Sequence, residues 1–92
     1  MRNHFIVIGH VQGIGYRYFI QQNAKRFTLT GWVRNCSNGS VEGEVQGNET
    51  ALKDFFLTIQ TTHPLARVDQ IIREAMNKIN SEKNFQFNRN DG

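Results

Sequence analysis

Residues 28–46, TLTGWVRNCSNGSVEGEVQ, constrain the fold more than any other stretch of the chain. In SVEGEVQ, residues 40–46, Val41, Gly43 and Val45 fall on one side while Ser40, Glu42, Glu44 and Gln46 fall on the other. A period of two is the signature of a strand. The preceding TLTGWVR, residues 28–34, is β-branched and aromatic, as strands favour. Between the two lies NCSNG, whose Asn38-Gly39 pair tolerates the positive φ of a tight hairpin turn. An antiparallel hairpin is therefore expected here.

The flanking segments supply the rest of the architecture. HFIVI at 4–8 reads as a strand buried on both faces. The glycine-rich GHVQGIGYR, residues 9–17, follows it, and from Tyr18 to Phe27 apolar positions recur at helical spacing. Asn48 or Thr50 can cap a second helix with the stripe Ala51, Leu52, Phe55, Phe56 and Ile59. His63-Pro64 ends that region, because proline pushes its predecessor toward extended geometry. ARVDQIIR at 66–73 reads as a further strand, and FQF at 85–87 as a last, edge strand. The order β-α-β-β-α-β plus one strand predicts an α+β, ferredoxin-like sandwich, an antiparallel sheet with two helices on one face, as a single domain over residues 1–92. That architecture hosts many functions, so only the site can name one.

Composition narrows the classes. With 38% hydrophobic and 21% charged residues the chain has an ordinary globular balance. It has no apolar run of about 18 residues, so no membrane span is expected. Only four strong hydrophobes precede Gly9, too few for a signal peptide, and the single Cys36 suits a reducing compartment, so the expected location is the cytoplasm. The sequons at Asn35, Asn38 and Asn48 are then chance matches. His4, His10 and His63 are too dispersed for a local ligand motif, and neither a metal nor another cofactor is expected. The net charge of +3 is spread over 11 basic and 8 acidic residues without a stripe, which argues against nucleic acid and for a small anion or simple solubility.

Two segments carry candidate chemistry. Gly13 and Gly15 can take up the φ > 0 geometry of an anion-binding nest, and a helix N-terminus just beyond adds unpaired N–H groups. Arg17 stands at the first turn, where its planar fork could take two phosphate oxygens. On the residues alone, a tight structural turn with a solvated arginine stands beside a phosphate cradle as an equal reading. A dinucleotide loop fits poorly, because the G-x-G-x-x-G spacing is not met. The Asn35 amide, closing GWVRN, could hold a water as donor and acceptor, or could simply bond its own backbone in the turn. Asn38 is a turn residue either way.

GHVQGIGYR at 9–17 resembles the acylphosphatase signature G-x-V-Q-G-V-x-F-R, and GWVRNCSNGSVEGEVQG at 31–47 resembles that family's second signature. Ile14 and Tyr16 replace the usual Val and Phe while keeping apolar bulk, and Cys36 follows the asparagine where Thr or Leu is more usual. The resemblance implies hydrolysis of the carboxyl–phosphate bond of small acyl phosphates to a carboxylate and inorganic phosphate, by a monomer, without metal or phosphoenzyme. It implies a phosphate held by the backbone N–H groups of Gln12, Gly13, Ile14, Gly15, Tyr16 and Arg17. Arg17 would be the charged anchor and Asn35 the residue that orients the attacking water, with the substrate's own phosphate a better proton acceptor than His10. The alternatives for such a fold are an RNA-binding module displaying Tyr16, Tyr18 and Trp32, or a small-ligand regulatory domain. No RNP-type sequence supports the first, and the second leaves the GWVRN segment unexplained.

Overall fold

The computed structural model describes residues 1–87. The chain runs β1 (Arg2–His10), α1 (Tyr16–Arg26), β2 (Thr30–Asn35), β3 (Val41–Gln46), α2 (Glu49–Thr61), β4 (Arg67–Met76) and β5 (Phe85–Phe87). The five strands lie in the order β4-β1-β3-β2-β5. β1 pairs antiparallel with β3 and β4, and β2 antiparallel with β3. β5 pairs parallel with β2, so the sheet is mixed rather than wholly antiparallel. A parallel neighbour cannot be reached by a tight turn, and the chain arrives at this edge only after crossing from β4 at the other.

One face of the sheet carries the core. Phe5, Val7, Val33, Val41, Val45 and Phe85 are buried there beneath Ile20 and Ala24 of α1 and Leu52, Phe55, Phe56 and Ile59 of α2. Phe5 meets Phe56 edge-on with centroids 5.5 Å apart, a favoured aromatic geometry. Gly43 sits opposite Phe5 because a Cβ there would come within 2.6 Å of that ring. The expected helices are both present, although α1 begins at Tyr16, two residues before the periodicity shows it. Asn48 caps α2, its Oδ1 accepting from Ala51 N–H at 2.8 Å.

β1 is not buried on both faces. Its burial alternates, and Ile8 is 37% exposed, because both helices lie on the other side of the sheet. The second face is polar. Glu42 accepts from His4 and Arg34, and the buried Arg2 guanidinium spans Glu44 and Glu82 at 2.9 and 2.8 Å. Burial alone would raise the Glu42 carboxyl, but the hydrogen bonds from His4 and Arg34 outweigh it and hold the group below its ordinary value. β4 runs to Met76, three residues past the expected end, as an exposed edge strand. Its register with β1 shifts between Ile8 and Gly9, where a Cβ on Gly9 would collide with the Arg67 carbonyl. Among the described residues no helix is long and apolar enough to cross a membrane.

Candidate active site

The chain leaves β1 at His10 and enters α1 at Tyr16 through a loop whose conformation only glycine takes easily. Gly13 and Gly15 lie at φ 76° and 77°, while Ile14 between them keeps a negative φ. A Cβ at either glycine would meet nothing within 4 Å, so backbone sign, not crowding, demands glycine there. Alternating signs of φ turn successive N–H groups toward one concavity, the geometry of an anion nest. Gly15 is also the N-cap of α1, with no side-chain cap and no acidic residue in the first turn. The partial positive charge of the helix start is thus left facing the loop.

A cavity of about 330 Å³ opens over this loop, lined by Val11, Gly13, Gly15, Tyr16, Arg17, Tyr18, Asn35 and Phe87. Its size suits a small ligand. The cavity brings together Arg17 and Asn35, which arrive from different elements: Arg17 from the first turn of α1, Asn35 from the last residue of β2. The Arg17 guanidinium lies 5.3 Å from the centroid of the Phe87 ring, a cation–π contact. Asn35 Oδ1 is buried and has no hydrogen-bond partner among the described residues. A buried amide oxygen without a partner is costly, and one beside a cavity is suited to a water or ligand. Asn38 is the turn residue expected, its Oδ1 accepting from Ser40 N–H at 3.0 Å.

The other expected phosphate contacts divide by atom. Tyr16 turns its ring into the core, donating its hydroxyl to the Ile59 carbonyl at 2.7 Å, and burial pushes that phenol well above its ordinary pKa. Only its backbone remains for a ligand. Ile14 packs partly against the core, and neither it nor Gln12 lines the cavity. The Gln12 side chain instead reaches the β2–β3 turn, donating to the carbonyls of Cys36 and Ser40, each at 2.8 Å. His10 is exposed at the end of β1 and is not among the lining residues. Among the described residues no group of three His, Cys, Asp or Glu is placed to hold a metal ion.

Val11 and Phe87 are lining residues that sequence reasoning did not single out, and Tyr18 entered only as an aromatic of the RNA-binding alternative. Tyr18 and Val11 flank the glycines and could have been suggested by proximity. Phe87 reaches the cavity only through the parallel pairing of β5 with β2, for which no local pattern speaks.

A ferredoxin-like α+β sandwich with a glycine loop of nest geometry, an arginine and an asparagine gathered around one small cavity at one end of its sheet defines the class. The comparisons with known proteins narrow it. The acylphosphatase family model matches residues 3–87. An acylphosphatase of Geobacillus kaustophilus is 46% identical over 86 residues, covering 94% of this chain and 92% of its own. One from Geobacillus thermodenitrificans is 43% identical over the same share of each. The crystal structure of acylphosphatase from Bacillus subtilis superposes with a TM-score of 0.88 at 34% identity, over 94% of this chain and 96% of that one. The chain belongs to the acylphosphatase family.

Proposed function

We propose that the cavity over the glycine loop is the site of acyl phosphate hydrolysis, within a single domain spanning residues 1–92. The observation that carries this is the meeting of an anion nest, Arg17 and the unpartnered Asn35 oxygen in one small cavity. The substrate phosphate accepts from the backbone N–H groups of residues 12–17, and the Arg17 fork takes two of its oxygens. Asn35 holds a water in line with the bond to the acyl oxygen. That water attacks phosphorus, the P–O(acyl) bond breaks with its electron pair going to the carboxylate, and the water's proton passes to a phosphate oxygen. The carboxylate leaves at neutral pH without a proton, so no general acid is needed. What remains is positioning and stabilisation of the equatorial oxygens, which backbone amides and one guanidinium can supply without a metal.

The nest, Arg17 and Asn35 meet within a single chain, so the proposed site asks for no residue from a second copy, and a monomer is the state we propose. The single cysteine suits the cytoplasm. An RNA-binding role is disfavoured by the open sheet face, where Glu42 and Glu44 stand beside their partners Arg34 and Arg2 and leave no basic platform. Incubation of the purified protein with benzoyl phosphate tests the proposal. Release of benzoate and inorganic phosphate, undiminished by EDTA, is expected. Failure to hydrolyse the substrate would refute the activity, and abolition by EDTA would refute the metal-free route.

A further inference from the structure

The phosphate cradle and Asn35 have no backbone ladder in common. β1, which leads into the cradle, and β2, which ends on Asn35, are separated in the sheet by β3. β1 pairs with β3 no further than Val7↔Val41, and Asn35 pairs with that same Val41 from the other side. Beyond Val7, the loop and the β2–β3 turn project as two independent segments, and in-line attack requires their separation to be held to a fraction of an ångström. The Gln12 side chain crosses between them. Gln12 Nε2 donates to Cys36 O, 24 residues away, and to Ser40 O, 28 residues away, each at 2.8 Å. Both N–H bonds of the amide are thereby used.

The two acceptors are the carbonyls that close the turn. Cys36 N–H donates to Ser40 O at 2.9 Å, and Gly39 N–H donates to Cys36 O at 3.1 Å. Each carbonyl has two lone pairs, one spent inside the turn and one on Gln12. The turn is therefore closed by its own bonds, and Gln12 contributes its placement against the cradle. We propose that Gln12 is a positioning residue: its side-chain amide docks the β2–β3 turn onto the cradle loop and so sets Asn35 relative to the bound phosphate. This role rests on the reading of Asn35 as holder of the attacking water, and it is distinct from any contact of the Gln12 backbone N–H with phosphate.

Gln12→Met keeps the length of the side chain and its backbone N–H but removes both donors. On benzoyl phosphate, kcat is expected to fall roughly ten- to a hundredfold, the scale of a small misplacement of reacting groups. Competitive inhibition by inorganic phosphate stays within about a factor of two, because the cradle is set by its own backbone. In an Asn35→Ala background the same substitution causes no further loss, since the group it positions is gone. Multiplicative losses in the double variant, an unchanged kcat in Gln12→Met, or a loss confined to phosphate affinity would each overturn the assignment. If Asn35→Ala alone left kcat unchanged, the water-holder reading would fail first and this inference with it. That result differs from an active-site asparagine with an idle glutamine. Should Gln12→Met not fold, Gln12→Asn serves: it retains an amide one methylene too short for both carbonyls and must show the same pattern, and full kcat in that variant would equally refute the role.

Discussion

Replacing Asn35 with alanine is expected to separate stability from turnover. In the folded chain Asn35 Oδ1 is buried beside the cavity, without a hydrogen-bond partner among the described residues. On the proposed reading a cavity water is the partner of this oxygen, so the amide carries no unpaired-group penalty that truncation could relieve. Truncation loses that water contact and some packing of the partly buried side chain. Stability should then change by less than about 1 kcal/mol. Turnover behaves differently. Removing one oriented group at such a centre costs about 3–4 kcal/mol of transition-state stabilisation, or roughly 10²–10³ in kcat. Inorganic phosphate should still inhibit, because the nest and Arg17 remain. Urea unfolding gives the first quantity, and steady-state hydrolysis of benzoyl phosphate with phosphate as inhibitor gives the other two. Destabilisation by several kcal/mol with a parallel loss of phosphate binding would make Asn35 a structural residue and refute the reasoning.

Two further substitutions probe the rest of the framework. Arg17→Ala should weaken phosphate inhibition and lower turnover together, by about 3–4 kcal/mol in kcat/KM, and Arg17→Lys should recover only part of it because a point charge cannot copy the fork. Near-native kinetics in Arg17→Ala would remove it from the site. Glu42→Gln tests the charge cluster on the open face. The folded-state pKa of Glu42 lies below its ordinary value, so its ionised form contributes stability above the unfolded pKa, and that contribution is lost as pH falls through the folded value. The variant should be less stable than the parent by about 1–2 kcal/mol near pH 7, and the gap should narrow as pH falls through the folded value. An undiminished gap in acid, measured by urea unfolding, would show that the carboxylate charge is not what stabilises the cluster.

Where local chemistry repeats along the chain, it was legible. Alternation in SVEGEVQ appears as the buried Val41, Gly43 and Val45 of β3, and the helical stripe of α2 is buried as its spacing demands. Asn48 caps, Asn38 turns, and the two glycines adopt positive φ, because each of these depends on residues within a few positions of itself. The start of α1 was misread by two residues, since Tyr16 and Arg17 lie inside the glycine-rich run and offer no periodicity of their own. HFIVI could not reveal which of its faces would be covered. A short apolar run looks the same whether helices lie over one side of the sheet or both.

The candidate site divides along the same line. The sequence by itself determined a loop whose backbone can surround an anion, an arginine in the first turn of the helix that follows, and an asparagine at the end of a strand. Bonded geometry within a few residues is enough for each, since φ > 0, a helix start and a hairpin turn are all short-range. Only the tertiary structure decided that these meet in one cavity, that Phe87 comes under Arg17 through a parallel strand pair, and that Gln12 spends its amide on Cys36 and Ser40. Those meetings join residues 18 to 70 positions apart, and they form only once burial of the shared core has fixed the sheet order. Local sequence pattern carries no record of a neighbour that distant, so the distances across the candidate site belong to the packing of the whole domain.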